Sequence, residues 1–337
     1  MRILMAMSGG VDSAAAATLL LRAGHSVTGC TMRLSGTEHE EREIARAAAS
    51  AEVLGIPHRV LDLREDFARE VIAPFAAAYR AGKTPNPCIF CNAAIKFGAF
   101  FDYAVAEGFE RIATGHYARI EGGRLKRATD AAKDQSYVLY RLTEQVLEKT
   151  IFPLGELTKA EARAIAEGAG LAAARAEESQ DICFVPDGDY AAFLSRMTGA
   201  DAPCGHYIDG AGRVLGEHRG ITHYTLGQHK GLGIALGRVR YVTHIDPIEN
   251  TVTLGDEDEL FKKEARLSQL HLIGGAQTAP FRATAKLRYR HRDVPLTVYP
   301  EGAGARLVFD EAQRAPTPGQ SAVLYDGDTV LGGGYIL

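Results

Sequence analysis

Ile3-Leu4-Met5-Ala6-Met7-Ser8-Gly9-Gly10-Val11-Asp12-Ser13 is the stretch that decides how this chain folds. Ile3 to Met7 is an apolar run that reads as a buried strand. Ala14 to Ala23 reads as a helix closed by Gly24. A strand, a glycine-rich turn and a helix N-terminus together build an anion site. Backbone N–H groups point into the turn, and the helix dipole favours negative charge there. Gly9 and Gly10 let the backbone approach a phosphate closely. Ser8 and Ser13 add hydroxyl donors, and Asp12 can hold a metal or cap the helix. An ordinary strand–helix turn needs neither the paired glycines nor the two hydroxyls.

Outward from that turn, strand and helix alternate. Strands are expected at Val27 to Met32, Arg59 to Leu63 and Arg111 to Thr114, with helices from about Glu40 to Leu54, up to Arg80, and from Ala93 to Glu107. This alternation implies a parallel sheet covered by helices on both faces, with a nucleotide at the carboxyl ends of the strands. Thr158-Lys159-Ala160-Glu161 is a capping box that starts a further helix. After about Met197 glycine, proline, threonine and valine rise, and short alternating segments such as Tyr241 to Ile245 and Ala322 to Tyr325 indicate β structure. The expected division is 1–197, then a small β-rich domain at 198–270, then a β domain at 271–337.

The 337 residues suffice for two or three domains. No run approaches the about 18 apolar residues of a membrane helix. The N-terminus enters a strand at once, which leaves no room for a signal peptide, so a cytoplasmic site is expected. A net charge of −4 argues against a broadly cationic nucleic-acid coat but allows local basic patches. Five cysteines, an odd number without framework spacing, suggest reactive or ligating thiols rather than structural disulfides. Gly82-Lys83-Thr84 imitates the end of a Walker A loop, but position 77 is Ala and Pro85 and Pro87 follow in place of a helix. Ser8 to Ser13 instead resembles the SGGxDS loop of the ATP pyrophosphatases, which split ATP into AMP and pyrophosphate and use the AMP to activate an oxygen.

Cys88 and Cys91 form C-x-x-C in Thr84-Pro85-Asn86-Pro87-Cys88-Ile89-Phe90-Cys91-Asn92, and Cys183 follows far downstream. The pair alone reads as half a zinc site, a dithiol pair or two buried small residues. Cys91 falls just before an expected helix, whose positive end would stabilise a thiolate. Arg282, Lys286, Arg288, Arg290 and Arg292 recur at even spacing. Period 2 would place them on one strand face able to grip phosphates, or to guard a sheet edge. Gly227 to Gly233 reads as a mobile flap or a plain hairpin loop.

Together these blocks resemble the tRNA-specific 2-thiouridylases. The likeness runs through Ser8–Ser13, Thr84–Asn92, Ile95-Lys96-Phe97, Ala113–Arg119, Lys133–Tyr137, Phe152–Gly155, Asp181–Phe184, Tyr224–Gln228 and Thr317–Gln320. It implies an adenine nucleotide alpha-hydrolase-like (PP-loop) α/β domain with a parallel sheet, a small central domain and a C-terminal β-barrel. It further implies ATP and Mg²⁺ on Ala6, Met7, Ser8, Gly9, Gly10, Val11, Asp12 and Ser13, with Met32 and Gly115 near the adenosine. The C2 oxygen of a flipped wobble uridine in tRNA is adenylated, and sulfur then displaces AMP. The cysteine matching Cys183 carries a persulfide, and the one matching Cys91 releases the sulfur and closes a disulfide with it. Asn86, Pro87 and Cys88 surround the target base, while His116, Lys133, Asp134, Gln135, Arg288, Tyr289 and Gln320 engage the tRNA. The sulfur arrives from a cysteine desulfurase, a relay protein or sulfide, and no membrane is involved.

The commonest family pattern has Asp where Cys88 stands, and often Arg where His229 stands. With Cys88, Cys91 and Cys183, three thiolates could hold an iron–sulfur cluster with one open iron, an alternative sulfur carrier to the persulfide. An amide-forming synthetase of the GMP or NAD type would explain the pyrophosphate loop but not the cysteines or the basic segment. A non-catalytic RNA-binding or iron–sulfur sensor protein would bind tRNA without releasing pyrophosphate.

Overall fold

The computed structural model describes residues 1–175, 182–185, 188–199 and 201–337. It divides into two compact units, Met1–Ile72 with Cys88–Gln180 and Asp326–Leu331, and Ala73–Pro87 with Asp181–Tyr325 and Gly332–Leu337.

The first unit is built on a parallel sheet. Its strands are β1 (Arg2–Ala6), β2 (Ser26–Arg33), β3 (His58–Asp62), β4 (Arg111–Ala113) and, after the hairpin β5 (Ala118–Glu121) and β6 (Arg124–Arg127), the short β7 (Thr150–Ile151). The order is β3-β2-β1-β4-β7, so the chain reverses its direction of travel at β1. The carboxyl ends of β1 and β4 flank that switch point, where doubly wound sheets open a crevice for ligand. Ile3, Leu4 and Met5 on β1 are fully buried, as a central parallel strand requires. The Val11–Arg22 helix carries Ala14 to Ala17 into the core, and the Lys159–Gly168 helix presents Ala162 and Ala166 to the same cluster. Small residues on both helices permit close approach of their backbones. Thr158 caps the second helix reciprocally with Glu161, as the sequence predicts.

The sequence reading places a helix start near Ala93. The structure starts it at Pro87 and runs it to Ala106, with Cys91–Ala99 wound as a π-helix. Proline at the first position supplies the early start, because its missing N–H is needed by no partner there. Among the described residues this is the one helix long and apolar enough to cross a membrane, with a mean hydropathy of 1.3. Its Ile89, Ile95, Phe97 and Phe100 are buried inside the protein, which accounts for the apolar composition.

The second unit contains two β structures. β8 (Gly205–Ile208), β9 (Val214–His218), β10 (Tyr241–Asp246) and β11 (Thr251–Gly255) form a sheet in the order β10-β11-β8-β9, over Tyr207, Tyr224, Val242, Val252 and Leu254. β12 (Phe261–Leu272), β13 (Phe281–Lys286), β14 (Val294–Glu301), β15 (Gly304–Arg314), β16 (Ser321–Asp326) and β17 (Thr329–Ile336) follow. They pair in the order β12-β15-β14-β13-β16-β17, and β17 pairs back onto β12, which closes a barrel. The junction expected at 270 falls within β12, whose pairing with β15 and β17 ties that segment to the barrel.

Candidate active site

Ser8-Gly9-Gly10 leaves β1 and turns into the Val11–Arg22 helix. Gly9 has φ +74°, and a Cβ there would lie 2.4 Å from the Glu43 carbonyl oxygen, so this position demands glycine. Gly10 is the helix N-cap and offers no side-chain cap, which leaves the first-turn N–H groups to another acceptor. Ser13 is buried and wired into the turn: its hydroxyl accepts from the Ser8 N–H at 3.1 Å and donates to the Gly10 carbonyl at 3.0 Å. The sequence reading treats that hydroxyl as a ligand donor; here its proton holds the turn in shape. Met32 is the last residue but one of β2, and Gly115 lies just beyond β4. A Cβ on Gly115 would lie 3.0 Å from the Ser13 nitrogen, so the β4 loop rests on the first helical turn.

Asp12 does not cap the helix. Tyr117 donates its hydroxyl to Asp12 Oδ1 at 2.8 Å, and the Lys159 ammonium reaches both carboxylate oxygens at 2.7 and 2.8 Å. The Asp12 carboxylate is a hard oxygen donor that fits Mg²⁺ carried by a nucleotide. Tyr117 also exchanges two bonds with Gln135: its N–H donates to the Gln135 side-chain oxygen, and its carbonyl accepts from the Gln135 N–H, both at 2.9 Å. Sequence reasoning missed Lys159, reading it only within a capping box. A signal was present. Lysine in the first turn of a helix opposes the macrodipole, so a different partner has to account for it.

None of the five cysteines has a disulfide partner among the described residues. Cys88 and Cys91 lie one turn apart on the Pro87–Ala106 helix. Cys91 is inside the helix rather than at its start, so the expected stabilisation of a thiolate is absent. Burial pushes its thiol up to about 11, against the opposing pull of Lys96. Cys88 is exposed, yet the protein around it also raises its thiol, again opposed by Lys96. Among the described residues no group of three or more His, Cys, Asp or Glu side chains is gathered as a metal site. Cys30 is fully buried on β2 with its thiol pushed up to about 12, which marks it as a packing residue.

Cys183 is exposed at a turn in the second unit. Its neighbours Ile182 and Phe184 pack on an aromatic cluster with Phe75 and Phe193, which anchors the turn. Asp181 of the same block lies outside the described residues. In that unit the loop before the C-x-x-C is bracketed from the barrel. Gln320 Nε2 donates to the Thr84 carbonyl at 2.7 Å, and the Thr84 N–H donates to the Pro318 carbonyl at 2.9 Å. Asn86 is half-buried and Pro87 buried in the same segment.

The expected tRNA residues divide into exposed and buried groups. Lys133 is half-buried, but Asp134 is buried and accepts from the Ala128 N–H, the Ser136 N–H and the Ser136 hydroxyl. It shapes the loop. His116 is buried between Phe97 and Phe152, bonded to Thr114 Oγ1 at 2.6 Å, and burial holds it neutral, well below the usual histidine range. The basic segment is not one strand face. β13 ends at Lys286, and a turn carries Arg288 to Arg292 because the chain must reverse to pair Ala285 with Val294. Arg282 faces Asp310 through two 2.7 Å bonds, and Arg288 and Tyr289 are exposed on the turn.

Residues 1–187 match the family model described as tRNA methyl transferase HUP domain, 191–256 the tRNA methyl transferase PRC-barrel domain, and 262–336 the aminomethyltransferase beta-barrel domain. The chain is 43% identical to the tRNA-specific 2-thiouridylase MnmA of Acetivibrio thermocellus, with 99% of each chain covered. It is 46% identical to that of Moorella thermoacetica and 44% to that of Clostridioides difficile, each over 99% of this chain and 98% of the relative. This chain belongs to the tRNA-specific 2-thiouridylases. The family models speak of methyl transfer, but the full-length relatives are thiouridylases, and their similarity extends over both units of this thiouridylase. A U34-tRNA thiolase NcsA of Methanococcus maripaludis with its [4Fe-4S] cluster aligns over 58% of this chain and 67% of its own, at 18% identity and a TM-score of 0.38. That likeness is too distant to inform the site.

Proposed function

We propose that this chain is an ATP-dependent tRNA-uridine 2-sulfurtransferase acting on the wobble uridine. The observation that carries the reading is the uncapped glycine turn at the β1–β4 switch point, on a chain similar over its whole length to 2-thiouridylases. ATP would lie with its phosphates on Ser8 to Ser13 and its adenosine toward Met32 and Gly115. Asp12 would hold the Mg²⁺ that shields the phosphates. The uridine C2 oxygen attacks the α-phosphorus, and pyrophosphate leaves. This step converts a poor leaving group into AMP.

For the sulfur step we favour a persulfide on Cys183, whose exposed thiol a sulfur donor can reach. Its terminal sulfur attacks C2 and AMP departs; Cys91 then attacks the remaining Cys183 sulfur. The transferred sulfur leaves with two electrons, the two cysteines end as a disulfide, and an external thiol must reopen it. Cys88 supplies a third thiol, so a cluster remains the second carrier; a broad visible absorbance in anaerobically purified protein that vanishes in Cys88→Ser would favour it. Asn86 and Pro87 line the base, Arg288, Tyr289 and Lys133 contact tRNA, and Gln135, Asp134, His116 and Gln320 position the loops that do so. A cysteine desulfurase or a relay protein supplies sulfur already at the persulfide level to Cys183, whereas sulfide could load only the cluster route. Cysteines without a disulfide partner, together with a tRNA substrate, suit a cytoplasmic site.

The test is nucleoside mass analysis of unmodified tRNA after anaerobic incubation with the protein, ATP, Mg²⁺, cysteine and a cysteine desulfurase as persulfide donor. Wobble 2-thiouridine that disappears in Cys183→Ala is the expected result. AMP formation without any thionucleoside would remove the sulfur step, and no AMP at all would remove the whole reading.

A further inference from the structure

We infer that Lys159 is a catalytic residue of the adenylation step: its ammonium, held against Asp12 beside the glycine turn, receives the pyrophosphate leaving group. The inference rests on the adenylation reading above and adds a residue to it.

Four observations converge. Lys159 is the first residue of its helix, where the macrodipole disfavours a cation, so the position is held for another reason. Its side chain is 16% exposed, and its ammonium contacts both oxygens of Asp12. Asp12 is itself in the first turn of the helix whose uncapped N-terminus follows the glycine turn. Ala162 and Ala166 pack in the same cluster as Ala14 to Ala17, so small side chains let the two helices bring Lys159 to Asp12.

The charge balance explains the arrangement. An unpaired Asp12 carboxylate would repel the phosphates that the turn is shaped to bind. Lys159 neutralises it. When phosphates enter the turn, the flexible ammonium can reach a phosphate oxygen beside Asp12, with Tyr117 still donating to Oδ1. The α-phosphorus then forms a bond to the uridine C2 oxygen. Its bond to the bridging oxygen breaks, and the electron pair leaves on pyrophosphate. A mobile ammonium on a flexible stem can follow that developing charge.

The experiment is calorimetric titration of inorganic pyrophosphate, without metal, into wild type, Lys159→Gln, Lys159→Arg and the double variant Asp12→Asn/Lys159→Gln. Thermal melts confirm that each variant folds. Lys159→Gln is expected to weaken pyrophosphate at least about tenfold, the scale of a lost charged hydrogen bond, with Lys159→Arg in between. AMP affinity should stay unchanged. If Lys159 served only to neutralise Asp12, the double variant would recover wild-type affinity. That recovery, an unchanged affinity in Lys159→Gln, or no pyrophosphate binding by wild type would each overturn the inference. A wild type that binds pyrophosphate but yields no thiouridine from tRNA would instead count against the functional reading.

Discussion

Gly9→Ala and Gly10→Ala should fail in different ways, although the residues are adjacent. Gly9 sits at φ +74°, and its Cβ would lie 2.4 Å from the Glu43 carbonyl oxygen and 3.2 Å from the Arg46 Cβ. An L-residue in that backbone region costs about 1–2 kcal/mol. The clash is with helix backbone, so relief requires the turn or the Glu38–Val53 helix to move by nearly an ångström, an overpacking cost of about 1–3 kcal/mol. The sum, about 2–5 kcal/mol, corresponds to a urea midpoint lower by about 1 M or more. Gly10 has φ −91°, and its Cβ would meet only the Ser8 hydroxyl, at 3.5 Å. Alanine there costs only a weaker N-cap, about 1 kcal/mol, yet under the proposed placement of ATP its methyl group would meet the phosphates. Urea titration followed by circular dichroism, with ATP binding by calorimetry, separates the two. Gly9→Ala should lose stability and ATP together; Gly10→Ala should lose ATP while its midpoint stays close to wild type. Gly10→Ala that binds ATP normally would refute the placement of phosphate on this turn.

Cys91 should react with iodoacetamide slowly at neutral pH, about tenfold faster per pH unit, and level off only near the thiol value of about 11; a plateau below pH 8, read by mass spectrometry, would show that the thiolate is stabilised after all. Because Cys91 has its thiol raised, its deprotonated form is disfavoured by the fold, and stability linked to this group is present at neutral pH and lost as pH rises past the ordinary thiol value of 9.0. Asp134→Ala should destabilise the first unit by about 1–3 kcal/mol for each backbone N–H it strands, while Asp134→Asn should be milder because Ser136 can reorient its hydroxyl. Equal urea midpoints for the two variants would show that the buried acceptor is not what matters. Arg288→Gln should weaken tRNA binding and reduce the salt slope by about 1, whereas Arg282→Gln, already committed to Asp310, should leave the slope nearly unchanged; the reverse ranking in filter binding across a salt series would assign the phosphate contact to the strand rather than the turn.

Local chemistry made much of this protein readable from the chain alone. The strand–glycine–helix transition at Met7 to Ser13, the order of strands and helices that follows it and the capping box at Thr158 depend on neighbours in sequence, and each is present in the structure. So did the identity of the reaction, because the blocks that resemble the thiouridylases are short and local. What depends on distant partners was not readable. Period 2 extends a strand through Arg292, but the requirement to pair Ala285 with Val294 ends it at Lys286. A helix-terminal Cys91 becomes a half-buried helix-interior one because Pro87 starts the helix six residues earlier, and desolvation then outweighs Lys96. The contact between Asp12 and Lys159 spans 147 positions of sequence. No local pattern encodes it; the packing of two alanine-lined helices creates it, because only tertiary structure sets the distance between charges that the chain holds far apart.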